Sequence, residues 1–257
     1  MPKSKHLSII DFGIASVSLP GQTESGDLYF VKETKNGAMI GVIDGLGHGT
    51  EAATAAKLAV DVLNSLSDVS IIAAARFFHD KLRNTRGVVM ALVLINPIEE
   101  TMIWLSVGNV EGILLRADSH TSPIYESIIM RPGVIGFRLP PLYASVVPIA
   151  KGDLLILSTD GIKDDYISKV TVDLKYNYDQ INRSGERDIN DLLNEGIKSQ
   201  KEPSYSSFQI PLSEPTIFRG KWSELTPYFI SNYICSRFNK GSDDALVLAA
   251  KYLGNNK

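Results

Sequence analysis

Cysteine is all but missing from this chain. One residue in 257, Cys235, has no partner within the chain, so an internal disulfide framework is excluded, and so is a zinc cage built on thiolates. A marked excess of one charge is also missing. The 29 acidic and 26 basic side chains leave a formal charge of −3, which supplies no bulk attraction toward nucleic acid or an anionic membrane. No apolar run reaches the roughly 20 residues of a membrane span. The opening MPKSKHLSII is only briefly basic, and the apolar run behind it stops at Asp11, so no secretory signal is expected. Four histidines, His6, His48, His79 and His120, are scattered without metal-ligand spacing. These absences lead to the expectation of a soluble, cytoplasmic protein in a reducing setting, with no nucleic-acid or membrane partner. They leave the oligomeric state open. What is present is 44% apolar residues, enough for a folded chain with a sizeable core.

Strand-like stretches dominate the first two-thirds, at 7–19, 27–32, 38–44, 88–95, 102–107, 112–116, 143–149 and 153–158. Each is rich in β-branched or long apolar residues and bounded by Gly, Pro, Asn or Asp. Asn96 and Pro97 favour a turn between 88–95 and 102–107, so a hairpin is expected there. Helical periodicity appears at 51–66, with Ala55, Leu58, Ala59, Val62, Leu63 and Leu66 on one stripe. It recurs less cleanly at 69–83, through Ile72, Ala75, Arg76, Phe77 and Leu82. Further helices are expected at 188–199 and 222–238, and a last strand at 245–252. Hairpin-linked strands with two adjacent helices between them point to stacked antiparallel sheets flanked by helices, not to a doubly wound parallel sheet. From 172 to 223 the chain turns polar and irregular, and reads either as an insertion or lid or as a solvated excursion.

Four aspartates stand at the edges of strongly apolar strands. Asp27 opens one after Gly26, Asp44 closes Gly41-Val42-Ile43-Asp44-Gly45, Asp160 follows Leu157-Ser158-Thr159, and Asp243, beside Asp244, precedes the last strand. A carboxylate at a strand end can point into a cleft above the core. Four that converge repel one another unless a cation neutralises them. Ligands made only of hard oxygens select Mg²⁺ or Mn²⁺ over zinc or copper. The missing side chain of Gly45 also lets its carbonyl approach an ion closely. An isolated Asp-Gly pair is by default a turn, so it is the recurrence that carries the argument. Cys235 falls on an apolar helix face and reads as a core thiol.

The strings Ser25-Gly26-Asp27-Leu28-Tyr29-Phe30, Val42-Ile43-Asp44-Gly45-Leu46-Gly47-His48-Gly49, Ser158-Thr159-Asp160-Gly161-Ile162 and Ser242-Asp243-Asp244-Ala245-Leu246-Val247 resemble the metal-dependent protein phosphatase (PPM, type 2C) family. More narrowly they resemble its bacterial SpoIIE-type branch and the RsbX-like phosphatases within it. The resemblance runs from about residue 7 to 253, with 172–223 unmatched by a typical compact member. It implies an α+β fold, a four-layer α-β-β-α sandwich of two antiparallel sheets flanked by helices, as one phosphatase domain over 1–257. It implies two Mn²⁺ or Mg²⁺ ions bridged by Asp44, one also held by Asp27 and the Gly45 carbonyl, the other by Asp160 and Asp243. Asp244 takes the second place of the family's acidic pair.

The implied activity is hydrolysis of phosphoserine or phosphothreonine by a metal-activated water, with no nucleophilic side chain. The implied substrates are phosphorylated regulators of bacterial stress or sporulation signalling, including STAS-domain proteins of a stressosome-like complex. His48 can be read as a general acid for the leaving serine oxygen or as a turn residue before a helix. Asn109, in a Gly-Asn turn, reads first as a hairpin residue, and Asp164-Asp165 as a solvated helix start rather than an outer metal site. No N-terminal arginine stands where the larger type 2C enzymes place their phosphate-binding arginine. A non-catalytic phosphoprotein scaffold of the same fold is the alternative; an unused acidic cluster, which costs stability, argues against it. A nucleotide switch is disfavoured because the Gly45–Gly49 loop lacks a Gly-Lys-Ser/Thr or Gly-x-Gly-x-x-Gly pattern.

Overall fold

The structure is a computed structural model and describes residues 5–66, 69–118, 120–170 and 225–255. Among the described residues, eleven strands form two sheets. They are β1 (Lys5–His6), β2 (Ile10–Val17), β3 (Asp27–Thr34), β4 (Gly37–Gly45), β5 (Val88–Asn96), β6 (Thr101–Val107), β7 (Glu111–Leu115), β8 (Tyr125–Ser127), β9 (Ser145–Pro148), β10 (Leu154–Ser158) and β11 (Ala245–Tyr252). One sheet has the order β1-β2-β11-β10-β7-β8 and the other β3-β4-β5-β6-β9. Every pairing is antiparallel.

Alternation along the strands builds the layers. On β4, Ile40 and Val42 enter the core shared by both sheets, where Leu246, Leu248 and Tyr252 of β11 meet them. Met39 and Ile43, one residue out of phase, pack with the helices α1 (Thr50–Ser65) and α2 (Ile71–Lys81). β5 behaves alike, with Val89, Ala91 and Val93 inward and Val88, Met90 and Leu92 toward the helices. Burial on both faces is why this strand reads as an unbroken apolar run. A third helix, α3 (Pro227–Phe238), packs on β2 and β11 and completes the outer face of the other sheet. The result is the expected α-β-β-α sandwich.

Several boundaries differ from the sequence reading for identifiable reasons. The stretch 7–19 divides because Leu7 N–H donates to the Ile10 carbonyl at 2.9 Å and turns the chain between β1 and β2. On α2 the buried stripe is Ile71, Ala74, Ala75 and Phe78, while Phe77 is 40% exposed. The Ser70 hydroxyl caps the helix by accepting from Ala73 N–H and sets its start, and the buried residues follow the i, i+3, i+4, i+7 spacing of one face. α3 begins at Pro227 because Thr226 caps it, accepting from Phe229 N–H at 3.3 Å, with proline in the first turn. β8 was not foreseen: three residues at a sheet edge, largely exposed, carry no alternation. The expected helix 188–199 and the polar stretch 172–223 lie outside the described residues. The sandwich comprises Met1–Tyr166 with Thr226–Lys257, and Ile167–Leu225 form a separate unit. Among the described residues, no helix is long and apolar enough to cross a membrane.

Candidate metal centre

Antiparallel register sets Asp27 directly opposite Asp44, at the first residue of β3 and the penultimate residue of β4. The other sheet delivers its carboxylates to the same end. β10 ends at Ser158, two residues before Asp160, and Asp243-Asp244 lead into β11, its neighbour. One hydroxyl joins the two sheets: Thr159 Oγ1 donates to Asp27 Oδ2 at 2.6 Å and accepts from Leu246 N–H at 2.9 Å. Gly45 follows Asp44 where α1 crosses closely, and a Cβ there would collide with the Ala52 carbonyl, so only glycine lets strand and helix meet.

The acidic pair before β11 divides its work. Asp244 is 3% exposed, and its two oxygens accept from Leu19 N–H at 2.7 Å and Gly26 N–H at 2.6 Å. It therefore fastens the chain just ahead of Asp27. Asp243 is half-buried and accepts from Asp244 N–H at 2.9 Å through one oxygen, leaving the other for the cleft. Asn109 does more than shape a hairpin: its amide donates to Asp160 Oδ2 at 2.7 Å and orients that carboxylate. Lys240 Nζ donates to the Asp160 carbonyl at 2.7 Å and to Asp164 Oδ1 at 3.1 Å, which makes Asp164 an ion-pair partner.

The electrostatics record crowding. Burial pushes the Asp44 carboxyl up to about 9, and the charges of Asp27, Asp160, Asp243 and Asp244 push the same way. Asp27 is pushed up to about 7, first by burial and then by Asp244, Asp160 and Asp243, against the opposing Thr159 hydrogen bond. Asp160 is raised by burial and by Asp243, with Asn109 and Lys240 acting in opposition. Asp44 is the uncompensated member, because no described residue donates a hydrogen bond to its carboxylate. Half-buried negative charge without a protein donor is what a hard cation relieves, so the donor set fits Mg²⁺ or Mn²⁺. Among the described residues, no three carboxylate, histidine or cysteine groups close up enough to enclose an ion by themselves. Asp27, Asp160 and Asp243 each have one oxygen engaged by the protein. Such an open set suits an ion that keeps several of its own waters.

His48 lies exposed on the loop between β4 and α1, with its Nδ1 3.5 Å from Gln22 Nε2. Cys235 is buried on α3, and burial pushes its thiol up to about 11, so it offers no thiolate. Thr159, the orienting role of Asn109 and the clamp formed by Asp244 escaped the sequence reading. Thr159 carried one signal, a polar residue beside Asp160 at the end of an apolar strand.

Comparison with known proteins agrees with this architecture. The Stage II sporulation protein E (SpoIIE) family matches residues 34–202, more than half of the chain, spanning Asp44, Gly45, His48, Asn109 and Asp160. Phosphoserine phosphatase RsbX of Bacillus subtilis (strain 168) is 26% identical over 144 residues, covering 55% of this chain and 69% of that protein. A solved structure of RsbX in complex with magnesium superposes with a TM-score of 0.64 at 18% identity, over 98% of this chain and all of that one. A chain solved in work on the bacterial stressosome, as a modular system adapted to control secondary messenger signalling, gives 0.66 at 22% identity, over 94% and 99% of the two chains. The PP2C phosphatase domain of SpoIIE from Bacillus subtilis, with a fragment of its regulatory domain, gives 0.59 at 19% identity, over 96% and 64%. At these identities the structures speak to the fold, which is that of PP2C-type phosphatases. The chain belongs to the SpoIIE family, as a PPM-type, RsbX-like protein serine/threonine phosphatase.

Proposed function

We propose that this phosphatase removes phosphate from phosphoserine and phosphothreonine in bacterial stress-signalling proteins, with STAS-domain proteins of a stressosome-like complex as its substrates. On this reading it works in the cytoplasm, as one phosphatase domain over 1–257 with an insertion at 172–223. The supporting observation is the cleft at the shared end of the two sheets, where Asp44 stands among four other carboxylates with no described donor to offset its charge.

Asp44, Asp27, the Gly45 carbonyl, Asp160 and Asp243 are the groups that would hold two Mn²⁺ or Mg²⁺ ions. Bound there, such ions supply Lewis-acid polarisation of a phosphoryl oxygen and an acidified water. The chain's own residues provide the rest. Thr159 fixes the rotamer of Asp27, Asn109 fixes that of Asp160, and Asp244 holds the Gly26 backbone, so the carboxylates face the cleft without reorganisation. On this reading His48, exposed on the loop that follows Asp44, would give a proton to the departing seryl oxygen. A loop residue in contact with Gln22 is its other role, and His48→Ala turnover against aryl phosphates of differing leaving-group pKa separates the two. A general acid is missed most with poor leaving groups, whereas a loop residue is missed equally with all.

The test of the proposal is phosphate release from a phosphorylated STAS-domain protein with Mn²⁺, with chelator, and with Asp44→Asn. Metal-dependent release that Asp44→Asn abolishes is expected. Release that survives chelator and the substitution alike would refute it.

A further inference from the structure

A tight turn near the metal centre holds a phenylalanine out in water. Phe137 N–H and Arg138 N–H both donate to the Val134 carbonyl, at 3.2 and 2.8 Å, and Val134 N–H donates to the Arg138 carbonyl at 2.9 Å. The turn is also pinned from outside. Gly136 has φ +93°, and its N–H donates to His79 Nδ1 at 3.1 Å. A Cβ on Gly136 would stand 2.7 Å from the Leu82 carbonyl, so only glycine lets the turn lie against the end of α2. Phe137, within this fixed turn, is 81% exposed. Its ring gains nothing from folding, although the backbone that presents it is fully bonded.

Two links place the turn at the end of the sandwich that carries the carboxylates. Gly108 N–H donates to the Arg131 carbonyl at 2.7 Å, and the next residue, Asn109, holds Asp160. Val88 and Ile135 exchange both backbone hydrogen bonds, at 3.0 and 2.9 Å, and Val88 pairs with Gly45, the residue after Asp44. The surface there is of one kind. Ile129, Met130 and Tyr143 are exposed along with Phe137, and so are Arg131 and Arg138. Arg131 lies over the Tyr143 ring, with Cζ 5.4 Å from the centroid. Neither an acidic residue nor a lysine occurs from 128 to 150. Aromatic side chains, methionine and arginine are what protein interfaces concentrate, while lysine, glutamate and aspartate are depleted there.

A specific contact between proteins covers on the order of 800 Å² on each partner, far more than one phosphoserine does. A protein that puts its phosphoserine among the carboxylates must therefore also cover surface beside them. We propose that residues 129–143 are the docking surface for the body of the substrate protein. Phe137 enters an apolar depression on that protein, and Arg131 and Arg138 meet acidic groups around it. This deepens the phosphatase reading above and rests on it.

The experiment compares wild type, Phe137→Ser, Arg138→Glu and Arg138→Lys, with thermal midpoint and sedimentation recorded for each. The kcat/KM is measured with Mn²⁺ on a phosphorylated STAS-domain protein and on an aryl phosphate. The Kd for the same phosphoprotein is measured by calorimetry in an Asp44→Asn background. Phe137→Ser is expected to lower kcat/KM on the phosphoprotein and to raise its Kd by roughly 10- to 100-fold, the range of a hot-spot truncation, while the aryl phosphate is turned over as before. Arg138→Glu acts in the same direction, with a loss that shrinks as salt rises, and Arg138→Lys largely recovers. Equal losses on both substrates, or none on the phosphoprotein, would overturn the proposal. So would a wild type that handles the phosphoprotein no better than the aryl ester. A wild-type dimer that Phe137→Ser dissociates would give the surface to a second copy, and a lowered thermal midpoint in Phe137→Ser would give it to the chain itself; either overturns the proposal. Binding that depends on Phe137, with no phosphate released from either substrate, would refute the phosphatase reading and leave the docking surface standing.

Discussion

Thr159 performs two tasks with one hydroxyl, donating to Asp27 Oδ2 and accepting from Leu246 N–H, both in buried surroundings. Valine keeps its shape and removes both contacts. Thr159→Val should cost roughly 1–3 kcal/mol of stability, because the Leu246 amide is left buried without an acceptor. It should also raise Asp27 further, since the Thr159 hydrogen bond is what opposes burial there. The acid limb of the pH–rate profile should then move to higher pH, and a limb that stays in place would show that Asp27 does not govern it. The neighbours Asp243 and Asp244 allow a sharper separation. Asp244→Ala removes the acceptor of two backbone amides and should cost about 2–4 kcal/mol by urea unfolding. Asp243→Asn should leave the urea midpoint nearly unmoved and lower metal-dependent turnover by at least roughly 10- to 100-fold. The reverse pattern would exchange their roles. In the sequence the two differ only in motif register; the structure tells them apart because only one has both oxygens bound to backbone.

Elements were legible wherever burial imposed a pattern. The runs at 88–95 and 245–252 are apolar because both faces of β5 and β11 are covered, and each was placed to within a residue. The stripe on α2 was misjudged because Phe77 and Phe78 are equally apolar; the spacing of Ile71, Ala74, Ala75 and Phe78 puts Phe78 on the inward face. Asp44 and Asp160 were legible because each interrupts an apolar run. Thr159 and Asn109 were not, because contacts between distant segments place them, and such contacts leave no periodic trace. One element carries a polar group at each end. β10 starts beside Asp153 and ends two residues before Asp160, its five residues spanning roughly 16 Å at ordinary rise. At the Asp153 end, Arg116 is buried in ion pairs with Asp153 at 2.9 Å and with Glu126, and it donates to the Pro148 carbonyl at 2.6 Å. Arg116→Leu strands two carboxylates and should cost roughly 3–5 kcal/mol. Its kcat, measured well below the lowered melting temperature, should match wild type. A fall in kcat would mean that strain passes along β10 into the cleft.

At the scale of the molecule, the cleft draws carboxylates from both sheets, so their repulsion acts across the sandwich and links folding to pH. Asp27 and Asp44 are raised from an ordinary value of 3.8 to about 7 and about 9 in the folded chain, and Asp160 is raised as well. Between about pH 4 and about pH 9 the metal-free fold therefore holds protons that the unfolded chain has released. Its stability is fullest below the ordinary carboxylate range and declines as pH rises through the raised values. A divalent cation takes the place of those protons, and binding only the folded state adds stability by mass action. The thermal midpoint of the metal-free chain should fall from about pH 5 to about pH 9, and Asp44→Asn should flatten much of that fall. Mg²⁺ should raise the midpoint more at the alkaline end than at the acid end, where it competes with protons for the same oxygens. A metal-free midpoint that is level across this range would show that the carboxylates relax apart in solution. In that case the cleft would not be pre-strained toward its ions, and metal affinity would have to come from the coordinate bonds alone.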